Sequence, residues 1–243
     1  MKNNDYQKQM NVCEIILYHL LPGVPILLLA IFFANPTWGL DMPIVLAIMF
    51  AIMIGLVPVQ LSIIFLTAKH QGKSFKEVIS FTDKTPLKKM VLLIVLCFLI
   101  SGFVFVFLSG FEHLLWTDFS LMPDWLRLDK TDMNSYSTEI FRITVVMYLV
   151  FNVLLGPITE EIYFRGFLLP RMGKLGKSAP IVNAVLFSVY HFFSPWEIIT
   201  RILGTMPYIY FVWRKKDIRI GIAVHCLTNT LGFVGMMAAV LAL

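Results

Sequence analysis

The 243-residue chain is 58% hydrophobic and only 14% charged, and its mean hydropathy is +0.78. Soluble domains have about 45–50% apolar and about 25% charged residues, so the composition excludes a water-soluble enzyme, a nucleic-acid-binding protein and a disordered chain. It predicts an integral membrane protein, in which the net charge of +5 reflects basic loops. The three cysteines lack Cys-x-x-Cys spacing and predict no disulfide framework.

A membrane-spanning helix needs about 20 predominantly apolar residues. The stretches that meet or approach this length are 15–34, 43–66, 90–111, 140–159, 178–196, 202–213 and 220–243. The sequence therefore predicts an all-α, polytopic membrane helix bundle of about seven transmembrane helices, with eight as the alternative.

The loops between these stretches alternate in charge. The N-terminal head and the segments 67–89, 171–177 and 214–219 are basic, and 67–89 alone holds six lysines; the segment 112–139 is acidic. The positive-inside rule places the basic segments in the cytoplasm and the acidic loop outside. We expect two regions within one membrane domain, N-terminal helices with the acidic loop (1–137) and a C-terminal core (138–243). The compact chain suggests the cytoplasmic membrane of a prokaryote, with the N-terminus inside.

Ionisable residues within apolar helices are costly and indicate function. Glu160 and Glu161 follow Gly156-Pro157, where the long fourth hydrophobic stretch is expected to break or kink. Glu161 and Arg165, four residues apart, can form an ion pair. Glu160 points about 100° away, which makes it a candidate general base. The alternative is a charge cluster at the inner membrane surface.

Two further apolar stretches carry histidines. His191 is predicted to lie within the fifth span, and a hydrogen-bonded core histidine is the structural alternative. His225 and Asn229, four residues apart, share one face of the last span. Because polar groups on apolar helices must face one another or water, these residues predict a polar cavity in the inner half or middle of the bilayer.

A carboxylate base, two imidazoles and an amide donor suit water-driven hydrolysis of an amide bond. Other hydrolase designs do not match the sequence. It contains no His-Glu-x-x-His motif of zincins and no Gly-x-Ser-x-Gly elbow, and no predicted span holds an aspartate for an aspartyl dyad.

Three motifs follow one another between residues 158 and 230. They are Glu160-Glu161-x-x-x-Arg165, Phe187-x-x-x-His191 and His225-x-x-x-Asn229. In this order, on apolar helices, they resemble the motifs of the CPBP (Abi) family of intramembrane proteases. That family includes the CAAX prenyl endopeptidases and bacteriocin-processing or self-immunity proteins.

The resemblance implies a multi-helix membrane fold with a catalytic cavity in the bilayer. It implies that Glu160 activates a water molecule that His191 helps to hold. His225 and Asn229 correspond to the donors on the oxyanion side. Glu161 and Arg165 correspond to the supporting pair that fixes the geometry.

The residues leave two chemistries open. Zinc is one, with Glu160, His191 and His225 as ligands. A metal-free mechanism without any cofactor is favoured, because Asn229 is a poor zinc ligand.

The predicted function is that of an intramembrane endopeptidase acting on a membrane-associated peptide or protein. The lipid bilayer is its other expected partner, and no binding of nucleic acid is expected. One alternative is a non-catalytic scaffold or bacteriocin-immunity protein that keeps the site for structure. Another is a proton-coupled transporter, although no repeated half is visible in the sequence.

Overall fold

The computed structural model describes residues 7–116, 122–128 and 135–241. Apart from an isolated β-bridge between Thr82 and Asp217, the regular structure in these ranges is helical, so the all-α prediction is confirmed. The predicted acidic outer loop falls partly on residues 117–121 and 129–134, which lie outside the described ranges.

Eleven α-helices are named here in chain order within the described ranges. They are α1 (Val12–Leu20), α2 (Gly23–Ala34), α3 (Ile44–Ala51), α4 (Val57–His70), α5 (Phe75–Val78), α6 (Leu87–Trp116), α7 (Thr138–Met147), α8 (Gly156–Glu160), α9 (Ala179–Val189), α10 (Ile198–Lys215) and α11 (Ile218–Leu241). Short π-helical and 3₁₀ segments connect several of them into longer continuous helices.

Five helical stretches among the described residues are long and apolar enough to cross a membrane. They are Val12–Ala34, Ile44–His70, Leu87–Glu112, Thr138–Val189 and Ile218–Ala238. The 52-residue stretch holds two of the predicted spans, which are separated by a kink where Gly176 has φ 55° and ψ −126°. The remaining predicted span lies in α10, which is not among the five. The membrane bundle is thus confirmed, whereas the count of seven spans stays a prediction.

The basic segments meet at one end of the bundle. Backbone or side-chain hydrogen bonds join the N-terminal segment, the 67–89 loop, the segment 166–171 and the α10–α11 turn. The contacts are Gln7 Nε2 to Glu77 O (2.9 Å), Met10 N to Arg171 O (3.0 Å), Ser80 N to Gly166 O (2.8 Å) and Asp83 N to Lys216 O (2.8 Å). These are the segments that the charge pattern places on one side of the membrane.

The helix that carries the first motif is continuous where a break was expected. Two π-helical segments, Tyr148–Leu155 and Glu161–Leu168, flank α8, and the backbone stays helical through Gly156 and Pro157. The wide turn accommodates the proline, which has no N–H to donate. A Cβ at Gly156 would lie 2.5 Å from the carbonyl oxygen of Phe151, so this turn requires glycine.

The fifth predicted span is shorter than expected, and His191 does not lie within its helix. α9 ends at Val189, and its 11 residues rise only about 16 Å against a hydrocarbon core of about 30 Å. The chain then turns, with the Ser194 N–H donating to the His191 carbonyl at 2.8 Å, before α10 begins. Irregular backbone at membrane depth is tolerated where it lines a cavity.

Candidate active site

A cavity of about 580 Å³ lies between the helices of the N-terminal region and those of the C-terminal region. This size is typical of small-molecule or short-peptide sites. Its lining includes four of the six residues singled out in the sequence, Glu160, His191, His225 and Asn229. The other two, Glu161 and Arg165, lie behind the lining and are fully buried.

Glu160 is the centre of this arrangement. Its Oε1 atom lies 3.8 Å from Nε2 of His191, and its Oε2 atom lies 3.7 Å from Nε2 of His225. The hydroxyl of Tyr190 donates a hydrogen bond to Oε1. The structure therefore places the candidate base between both histidines, although 30 or more residues separate it from each in the chain.

The orientation of His191 follows from its other nitrogen. Nδ1 lies 2.8 Å from the carbonyl oxygen of Phe187, and a carbonyl can only accept, so Nδ1 carries the proton. In the neutral ring, Nε2 then presents a lone pair toward Glu160. The 3.8 Å gap is too long for a direct hydrogen bond, and a water molecule can contact both groups.

The predicted Glu161–Arg165 ion pair is present. Nη1 of Arg165 lies 3.1 Å from Oε1 of Glu161, and both side chains are fully buried. The Arg165 guanidinium also stacks on the ring of Phe187 at 3.9 Å, a cation–π contact. Oε1 of Glu161 further accepts from Nδ1 of His225 at 3.1 Å. The pair thus orients the second histidine from behind the cavity.

Asn229 lines the cavity one helical turn beyond His225 on α11. Its Nδ2 atom donates to the carbonyl oxygen of Asn152 at 2.7 Å. Asn152 lies in the π-helical segment Tyr148–Leu155, where the wide turn presents this carbonyl. An amide nitrogen has two N–H groups, and this contact uses one of them.

Several site residues escaped the sequence reasoning. Tyr190 is adjacent to His191 but carries no pattern of its own. Arg201, buried in the cavity wall, is a charged residue beside an apolar run and could have been found by that signal; the predicted span began one residue after it. Gly221 lies four residues before His225 on the same helix face. Its role depends on the Glu161 carboxylate that packs against it, which no local sequence pattern predicts.

The metal alternative can be compared with this geometry. Within residues 7–116, 122–128 and 135–241, no group of three or more His, Cys, Asp and Glu side chains is arranged to hold a metal ion. The Tyr190 hydroxyl also contacts Oε1 of Glu160. The described residues, as placed, therefore present no such set of zinc ligands, and the metal-free mechanism stays a prediction.

Residues 142–231 match the family model described as Type II CAAX prenyl endopeptidase Rce1-like. This segment contains all three motifs, so the resemblance to CAAX-type intramembrane proteases is confirmed over it. It begins in α7 and ends in α11, and thus spans the helices that carry Glu160, His225 and Asn229.

One curated relative is also similar. It is "Uncharacterized protein YyaK" of Bacillus subtilis (strain 168), 29% identical over 126 residues. The alignment covers 46% of this chain and 39% of the relative, so the chain spans well under half the length of the curated protein it matches. No solved structure matches the chain.

Proposed function

We propose that this protein is an intramembrane endopeptidase that hydrolyses a peptide bond of a membrane-associated protein or peptide with a water molecule activated by Glu160. The observation that carries the proposal is the position of Glu160, held between Nε2 of His191 and Nε2 of His225 in the wall of the cavity. The CAAX-type family match over residues 142–231 supports the same reaction class.

In the proposed mechanism, one water molecule lies between Glu160 and His191. The water donates one hydrogen bond to Oε1 of Glu160 and the other to the unprotonated Nε2 of His191. A lone pair of the water oxygen is then free to attack a substrate carbonyl. As the oxygen attacks the carbonyl carbon, Glu160 accepts the proton. It then returns that proton to the leaving amine nitrogen as the C–N bond breaks.

The developing oxyanion is stabilised on the opposite side by His225 and Asn229. Nδ1 of His225 donates to Glu161, so its Nε2 donates only when the ring is an imidazolium. The second N–H of Asn229 is the amide donor.

The proposal includes a location and an orientation. The basic end of the bundle faces the cytoplasm, in keeping with the positive-inside rule. The substrate is a peptide or protein that reaches the cavity from the membrane, and neither a metal nor another cofactor takes part. The bilayer excludes bulk water, so the reacting water is one that the cavity's polar wall retains.

The decisive experiment compares membrane peptides from cells that carry the wild-type chain and the Glu160→Gln variant, using quantitative peptidomics. Glutamine keeps the shape of the side chain but cannot accept the proton from water, so we expect peptide products to disappear and an uncut membrane substrate to accumulate. His191→Ala should have the same effect. Glu139→Gln, at an exposed acid of α7, is the matched control and should leave the pattern unchanged. Identical patterns in wild type and Glu160→Gln would instead favour the scaffold.

A further inference from the structure

Arg201 is a buried cation in the wall of the proposed catalytic cavity. It lies in the first turn of α10, is 8% exposed, and lines the same cavity as Glu160 and His191. A buried charged residue is costly and requires either a partner or a function.

The hydrogen-bonding capacity of Arg201 is only partly used. Its Nη2 atom donates to Oγ of Ser194 at 3.0 Å and to the carboxylate of Glu197. Its Nη1 atom has no hydrogen-bond partner among the described residues. Planar guanidinium groups bind carboxylates through two parallel N–H donors, so the arginine retains a donor for a further acceptor.

The acids around Arg201 do not satisfy it fully. Glu112 accepts the backbone N–H groups of Ile199 and Thr200 at 2.7 and 2.8 Å and thereby caps α10. Glu197 is 42% exposed, so its charge is shared with solvent. Arg165, which lies behind the cavity lining, forms an ion pair with Glu161.

We propose that Arg201 is a binding residue for a carboxylate of the substrate, which it holds in the cavity beside the reacting bond. This inference rests on the proposed peptidase function and adds a specificity element to it. In a low-dielectric cavity an anionic group of a peptide requires a cation. The two sources of such a group are the free C-terminus and an acidic side chain, and the experiment distinguishes them.

The test measures binding without turnover, using the full chain with Glu160→Gln in detergent micelles. Three probes are titrated and compared by their Kd values: dodecanoyl-Ala-Val-Leu with a free carboxylate, the same peptide as a C-terminal amide, and dodecanoyl-Ala-Glu-Leu amide. We expect one of the two anionic probes to bind about tenfold more tightly than the neutral amide, as a charge-assisted hydrogen bond predicts. The tighter anionic probe identifies the source of the carboxylate. Equal Kd values for all three would overturn the proposal.

Two variants test the assignment to Arg201. Arg201→Gln should abolish the preference for the anionic probe, and a preference that persists would overturn it. Glu197→Gln removes the competing carboxylate from a half-exposed position and should increase the preference, whereas an unchanged or weaker preference would count against Arg201 even if Arg201→Gln does not fold. If cells show cleavage but the probes show no anion preference, the carboxylate-binding role of Arg201 is wrong and the proposed peptidase function is kept. If the probes show an anion preference but cells show no cleavage, the binding role is kept and the peptidase function is wrong.

Discussion

Nδ1 of His225 and Oε1 of Glu161 lie 3.1 Å apart, across 64 residues of sequence. Because a carboxylate can only accept, this contact fixes the ring so that Nε2 points toward Glu160 at 3.7 Å. Glu161 is in turn held by Arg165 at 3.1 Å. One buried acid therefore connects the arginine of the first motif to the histidine of the third.

Gly221 is predicted to be essential because it makes room for that acid. A Cβ at this position would lie 2.3 Å from Oε2 of Glu161, so Gly221→Ala must displace the carboxylate and release His225. Misplacement of a catalytic group by about 1 Å can cost about 100-fold in rate, and we expect a loss of that order in substrate cleavage. Gly235→Ala, on the same helix with nothing within 4 Å of the new Cβ, is the control. Full activity of Gly221→Ala would argue that Glu161 does not orient His225.

Arg165→Ala is predicted to destabilise the protein more than Glu160→Gln does. The substitution leaves Glu161 as an unpaired buried charge and removes the stacking on Phe187, and breaking a buried pair in this way typically costs about 3–5 kcal/mol. Glu160→Gln removes a charge instead and should melt close to wild type. Thermal unfolding in detergent compares the two variants. Indistinguishable melting temperatures would show that the Arg165–Glu161 pair is not a buried stabilising contact.

Asp217, in the turn between α10 and α11, provides a pH-dependent contribution to stability. Burial raises the pKa of Asp217, but hydrogen bonds from Arg219 and Thr85 outweigh it, so the pKa lies below its usual 3.8. A lowered pKa means that stabilisation is complete above about pH 4 and is lost as the pH falls further. Asp217→Asn should therefore lower stability by about 1.5–3 kcal/mol near neutral pH.

The difference between Asp217→Asn and wild type should shrink as the buffer is acidified below about pH 4. Melting temperatures of both proteins across a pH series in detergent provide the measurement, with Glu139→Gln as a control at an exposed acid. A difference that stays constant down to the most acidic buffer would mean that the Asp217 charge does not stabilise the α10–α11 turn.

Activity is predicted to survive prolonged dialysis against a strong chelator, and purified protein should hold far less than one zinc per chain. In the same metal-free mechanism Asn229→Asp should be nearly as damaging as Asn229→Ala. Aspartate cannot donate to the Asn152 carbonyl, which accepts from Nδ2 at 2.7 Å, and it repels the oxyanion. Zinc near one equivalent, lost together with activity and restored on readdition, would contradict this prediction. Tolerance of Asn229→Asp would point the same way.

The sequence by itself determined the all-α membrane architecture and the polar positions that carry the chemistry. The chain has too little polar surface to be soluble, and its apolar runs are long enough to span a bilayer. Within a bilayer such runs form helices, because a helix satisfies its own backbone hydrogen bonds. Ionisable residues within such runs are costly, so Glu160, Glu161 and Arg165 stood out locally. The i,i+4 spacing of Glu161 and Arg165 also predicted their ion pair, because helical geometry alone places them on one face.

Only the tertiary structure decided how these positions work together. In the structure His191 lies in the turn after α9 and not in a helix, and the helix is continuous through Gly156 and Pro157. Tyr190, Arg201 and Gly221 also belong to the site. The role of Gly221 does not follow from a local period, because it depends on a contact with Glu161, a residue distant in the chain. Helical propensity and hydropathy act over neighbouring residues, whereas the packing of one helix on another selects which carboxylate a histidine faces and where a Cβ has room.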